Sequence, residues 1–214
     1  MSVPAEVTQA RLVIWDFDGV IKESTDVKRR AFVALFAWAG PDVMTSVGAH
    51  HDAHGGMSRY EKIPIYLRMA GETPQPARVA ELCEAFSRQV LQAVIDAPWV
   101  PGVDEYLRAN AHAQLFALVS ATPDPELRAI LAALALDDAF AEVHGAPTPK
   151  QDAVGQVLDH LGVSPAASVF IGDASADRSA AAAWDVPFVL RRHMSNRAVF
   201  TDYNGPSFSD FISA

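Results

Sequence analysis

The 214-residue chain contains one cysteine, Cys83, so no intrachain disulfide can form and no thiolate zinc site or redox pair can be built from one copy. Long hydrophobic runs are also missing. The longest fall short of the roughly 20 apolar residues needed to cross a bilayer, and Met1 to Gln9 lack the basic start and apolar stretch of a secretion signal. No long run of basic residues occurs, and 17 Lys and Arg stand against 26 Asp and Glu, a formal charge of −9. That balance repels nucleic-acid phosphates and anionic lipid. The expectation is a cytoplasmic protein, monomer or homodimer, with no nucleic-acid and no membrane partner.

What is present supports a packed core. Half of the residues are hydrophobic, and the length suits one domain carrying a modest inserted module. Leu12-Val13-Ile14-Trp15, Leu115 to Val119 and Ser168 to Ile171 are apolar runs without alternation, the pattern of strands covered on both faces; Val143 and Val186 to Leu190 are further strand candidates. Helical spacing marks Asp26 to Ala39, Ser58 to Met69, Pro76 to Ile95, Asp124 to Leu136, Gln151 to Leu161 and Ala176 to Trp184. Strands alternating with helices imply right-handed crossovers and a parallel sheet. The expected architecture is α/β, a Rossmann-like parallel sheet core (1–21 and 99–214) with an inserted helical cap domain (22–98).

In such a sheet ligands gather at the carboxyl ends of the strands. Three polar stretches fall there: Asp16-Phe17-Asp18-Gly19, Ser120-Ala121-Thr122, and Gly172-Asp173 through Asp177. Acids crowded at one edge need a cation, and hard oxygen ligands suit Mg²⁺. Thr122, before Pro123, reads as a turn or capping residue.

Asp16-Phe17-Asp18-Gly19-Val20, Ser120, Lys150 and Gly172-Asp173-x-x-x-Asp177, in that order, resemble the four motifs of the haloacid dehalogenase-like (HAD) hydrolase superfamily. The helical insertion falls where that family places its C1-type cap, as in the phosphoglycolate phosphatase and β-phosphoglucomutase-like subgroup. The resemblance implies a phosphatase that cleaves a small phosphorylated metabolite, phosphoglycolate-like or a sugar phosphate, with Mg²⁺. Asp16 would be the nucleophile that becomes an aspartyl phosphate, and Asp18 the general acid and then base. An acid at position 18 favours phosphoryl transfer over dehalogenation. Ser120 and the adjacent backbone N–H of Ala121 would hold the phosphoryl oxygens, with Gly19 also at the substrate, and Lys150 would neutralise charge. Asp16, Asp173 and the Asp18 backbone carbonyl would ligate the metal, with Asp177 behind them. A phosphomutase and a non-catalytic phosphate-binding protein are the alternatives.

Within the insertion, Gly55-Gly56-Met57-Ser58-Arg59 resembles the subgroup's specificity loop, which makes Arg59 a candidate clamp on a substrate anion. His50, His51 and His54 on an irregular loop do not have a zinc-site pattern. Sugar-phosphate mutases of the subgroup place a histidine twelve residues after the nucleophile, where this chain has Lys28. That favours hydrolysis, and it makes Lys22 and Lys28 candidate contacts to a second negative charge.

Overall fold

The computed structural model describes residues 3–212. Six strands, β1 (Leu12–Trp15), β2 (Leu115–Pro123), β3 (Glu142–Ala146), β4 (Ser168–Gly172), β5 (Phe188–Arg191) and β6 (Ser207–Phe208), form one parallel sheet in the order β3-β2-β1-β4-β5-β6. The side chains of β1 divide between two apolar layers. Leu12 and Ile14 pack with Ala117, Val119 and Phe170, and Val13 and Trp15 pack with Phe116, Leu118 and Ile171 on the opposite face. Helices cover both layers, so the strand needs no polar face and its sequence shows no alternation.

The sheet grows in both directions from β1, towards β2 on one side and β4 on the other. The carboxyl ends of β1, β2 and β4 are therefore neighbours at the point where strand order reverses, which is where open α/β sheets bind ligands. Helix α1 (Ala5–Gln9) precedes β1. Helices α6 (Val103–Asn110), α7 (Asp124–Ala133), α8 (Lys150–Leu161) and α9 (Ser175–Ala182) belong to the sheet region; α2 (Thr25–Leu35), α3 (Pro41–Ala53), α4 (Arg59–Met69) and α5 (Pro76–Asp96) lie between β1 and β2. The four inserted helices share an apolar centre in which Phe32 stacks on Phe86 at 3.9 Å and Tyr66 meets Phe32 and Phe36 edge-on.

The chain enters and leaves the insertion through two segments hydrogen-bonded to each other. Glu23 donates its N–H to the Pro98 carbonyl at 2.8 Å, and Val100 donates to the Ile21 carbonyl at 2.9 Å. Lys22 is buried here. Its ammonium donates to the Ile95 carbonyl at 3.0 Å and lies 4.4 Å from the Trp99 ring centroid, so it braces the crossing and does not face a ligand.

Two local readings change. Residues 41–53 are helical, starting with Pro41 at the first position, where a missing N–H costs nothing. Gly48 lies inside this helix, where a Cβ would meet the flexible end of the Arg29 side chain at 2.9 Å and Val33 at an ordinary 3.5 Å. Strand β2 also continues past Ser120 to Pro123, with an irregularity in its register against β3.

Candidate active site

Asp16 is the first residue after β1, and its N–H extends the ladder to the Ile171 carbonyl at 2.9 Å. The following turn folds back sharply: Gly19 has φ +77° and donates to the Lys22 carbonyl at 2.7 Å. A Cβ at Gly19 would lie 2.3 Å from Asp173 Oδ2, so this position needs glycine both for its conformation and for the close approach to Asp173.

Lys150 begins α8 and reaches the end of β1. Its ammonium lies 2.8 Å from Asp16 Oδ1 and 2.5 Å from Asp177 Oδ1. Asp177, in the first turn of α9, also accepts the backbone N–H groups of Asp173 and Ala174 on its other oxygen, at 3.1 and 2.9 Å. A carboxylate at a helix start is favoured by the helix dipole and by these free donors. Asp16, Asp173 and Asp177 are buried, and the Lys150 side chain is 8% exposed.

Burial dominates the electrostatics. It pushes Asp16 up to about 7, reinforced by Asp177 and opposed by Lys150. Asp173 and Asp177 are raised by burial as well. For Lys150 burial acts downward, but Asp16 and Asp177 outweigh it and hold its pKa above the ordinary lysine value. One lysine thus leaves a surplus of buried negative charge.

Among the described residues, the potential metal ligands that converge in a group are Asp16, Asp173 and Asp177, whose carboxylate oxygens lie within 4.8 Å of one another. An all-oxygen, all-carboxylate set with excess negative charge fits a hard divalent cation. The Asp18 carboxylate is not part of the group. It accepts from Lys28 Nζ at 2.5 Å, Ser24 Oγ at 2.7 Å and Thr122 Oγ1 at 3.1 Å, which leaves its backbone carbonyl as the donor it can offer a metal. Burial pushes Asp18 up, but Lys28, Ser24 and Thr122 together hold it below the usual carboxylate value.

Ser120 is buried, and its Oγ accepts the Thr122 N–H at 3.2 Å; Ala121 lines the cavity. Thr122 is a site residue and not a cap. It lies on β2, is 1% exposed, and joins Lys28 at 2.6 Å as well as Asp18. Two further residues at the site carried no sequence signal. His193 Nε2 lies 2.8 Å from Asp173 Oδ2, and Asn196 donates its amide to the Asp173 carbonyl at 2.9 Å. Both belong to the segment after β5, whose return across the sheet end is a tertiary fact.

The cavity beside these groups is roofed by the insertion, with Lys28, Phe32, His51, Arg59, Lys62 and Phe86 among its lining residues. Arg59, which lines the cavity, has its guanidinium engaged within the chain in this structure. Its guanidinium makes a two-pronged pair with Glu126 of α7 at 2.8 and 2.7 Å, bonds to Ser87 Oγ and covers the Phe86 ring. The planar anion it grips is this chain's own. The histidines lie on α3 and just after it. His50 and His54 stack at 4.2 Å, and His51 turns inward to Lys62.

Residues 10–185 match the family model described as haloacid dehalogenase-like hydrolase. Protein CbbY of Rhodobacter capsulatus is 26% identical over 197 residues, covering 85% of each chain. Among solved structures, β-phosphoglucomutase from Clostridium difficile superposes with a TM-score of 0.75 at 19% identity, over 94% of this chain and 92% of that one. A variant of CbbY from Rhodobacter sphaeroides in complex with xylulose-(1,5)bisphosphate gives a TM-score of 0.74 at 18% identity, over 94% and 95%. No described helix is long and apolar enough to cross a membrane. With its family match spanning most of the chain and its parallel Rossmann-like sheet, the protein belongs to the haloacid dehalogenase-like hydrolases.

Proposed function

We propose that this hydrolase is a Mg²⁺-dependent phosphatase that cleaves a small phosphate monoester, phosphoglycolate-like or a sugar phosphate, through an aspartyl phosphate on Asp16. The observation that carries the reading is the convergence of Asp16, Lys150, Asp173 and Asp177 in one buried cluster at the strand ends.

Asp16, Asp173 and the Asp18 carbonyl would hold the metal, with Asp177 fixing Lys150 behind them. The ion supplies the positive charge that lets a phosphate dianion approach three buried acids. Lys150 holds one Asp16 oxygen and orients the carboxylate for attack on phosphorus. As the new P–O bond forms, the ester P–O bond breaks and the departing alkoxide takes a proton from Asp18, which must first gain one as Lys28 withdraws, since Lys28 holds this carboxyl below the usual carboxylate value in the structure. Asp18 then removes a proton from water, whose oxygen attacks the same phosphorus and frees phosphate and Asp16. Ser120 Oγ–H and the Ala121 N–H hold the equatorial oxygens, and the backbone of Gly19 lines the substrate's approach.

Residues 22–98 act in this reading as a cap, moving on the paired crossings near 21–24 and 97–100 to exclude water during the chemistry. Lys28 at the position where the mutases have histidine supports hydrolysis over transfer between substrates. Phosphate release from a panel of phosphorylated metabolites, with Mg²⁺, with EDTA and in Asp16→Asn, tests the assignment. No release above the Asp16→Asn background from any substrate rejects it.

A further inference from the structure

Lys62 is a buried amine with no carboxylate partner among the described residues, and burial pushes its pKa down to about 7. It lies on α4, is 1% exposed, and lines the cavity between the insertion and the sheet ends. Its one hydrogen-bond partner among the described residues is His51 Nδ1 at 3.1 Å. The carboxylates around it are otherwise engaged. Asp52 is held by Arg29 at 2.8 and 3.0 Å, Asp18 by Lys28, and Glu61 by the start of its own helix at Ser58. Phe32, whose ring centroid lies 5.6 Å from the ammonium, and Phe86 add apolar wall around it. Such a place disfavours the ammonium form until an anion accompanies it.

His51 prepares this position. Burial and the neighbouring lysines Lys62 and Lys28 push its imidazole down to about 3, so it is neutral. With Nδ1 accepting from Lys62, the ring proton belongs on Nε2. Arg59 is already neutralised by Glu126. Of the lysine and arginine side chains that the insertion presents to this cavity, Lys62 is the one that no carboxylate among the described residues pairs with.

We infer that Lys62, seated by His51, is the insertion's anion-binding residue, and that the substrate is a small phosphate monoester carrying a second anionic group at its far end. The inference rests on the phosphatase reading for the reacting end, and assigns to Lys62 the contact that the sequence assigned to Arg59. The shared chemistry is a compact anion, a carboxylate or a second phosphate.

A matched set of substrates separates the possibilities: propyl phosphate, 3-(phosphooxy)propanoate and propane-1,3-diyl bisphosphate, assayed for kcat/KM with Mg²⁺. One or both charged substrates should exceed propyl phosphate by tenfold or more, and which one does so names the anion. Lys62→Met should erase that preference and Lys62→Arg retain part of it. Equal kcat/KM for all three in the wild type, or an equal proportional loss on all three in Lys62→Met, overturns the inference. Calorimetric binding of propane-1,3-diyl bisphosphonate, which cannot be hydrolysed, decides the matter without turnover. A tenfold weaker Kd in Lys62→Met with an unchanged melting temperature supports the site, and an unchanged Kd rejects it. Phosphate release from none of the esters, with that binding difference present, would reject the phosphatase reading alone.

Discussion

Lys28 reaches across from the first inserted helix to the end of the sheet and donates to Asp18 at 2.5 Å, with Thr122 completing the contact from β2 at 2.6 Å. The residue expected to move a proton is therefore held by a cation on the element expected to move as a cap. Closing and opening the insertion would change the charge beside Asp18, so proton affinity and cap position are linked in the geometry.

Lys28→Met should raise the Asp18 pKa. Burial is the largest influence on this carboxyl and acts upward; Lys28 is the largest opposing one, and Ser24 and Thr122 remain as weaker donors. Carboxyl ¹³C NMR titration of wild type and variant measures the shift. An unchanged midpoint would show that Lys28 does not set it.

In the proposed metal site, Asp16 would make binding depend on pH. Its folded value of about 7 lies above the ordinary 3.8, so between these values the folded protein holds a proton that the unfolded chain has released. By linkage the metal-free fold loses stability from this group as pH rises from about 4 to about 7, when that proton departs. A divalent cation needs the ionised carboxylate. The rise in melting temperature on adding excess Mg²⁺ should thus be larger at pH 8 than at pH 6. Equal increments at both pH values would contradict this.

Glu126→Ala should be strongly destabilising, because Arg59 would keep a buried charge with no carboxylate; breaking such a pair costs about 3–5 kcal/mol. Replacing both partners, as in Arg59→Met with Glu126→Leu, should recover most of the loss. Urea unfolding of the two variants measures the difference, and a double variant no more stable than Glu126→Ala would count against a desolvated pair.

His193→Ala should weaken divalent-metal binding by about 10–100-fold, the usual effect of removing a hydrogen bond that orients a ligand carboxylate. His193→Gln retains a donor and should recover part of the affinity. Calorimetric titration with Mg²⁺ or Mn²⁺ reads the effect directly, and an unchanged affinity in His193→Ala would remove His193 from the metal site.

The three central strands were legible because each is an unbroken apolar run covered on both faces, and the acids at their ends follow from where those runs stop. Other features depend on tertiary structure. Helix α3 was hidden by Gly48 and by histidines whose roles differ, His51 inward and His54 outward. β6 has two residues and exists only through its pairing with β5. Thr122 looked like a helix start because Pro123 follows it, although β2 carries it into the site. Arg59 carried a motif's spacing, but spacing gives no sign that Glu126 on another element would occupy its guanidinium. His193 and Asn196 meet Asp173 because the chain returns across the sheet end after β5, which no local pattern encodes.

The paired crossings at Lys22 to Ser24 and Pro98 to Val100 bring the two ends of the insertion side by side. A segment whose ends already meet can be lengthened, shortened or exchanged whole, because closing the gap left behind requires no rearrangement of β1 or β2 and little loop entropy. If the proposed site and far-end contact hold, the two could therefore change independently over generations, and a graft of residues 22–98 onto a related sheet should carry its ligand preference with it.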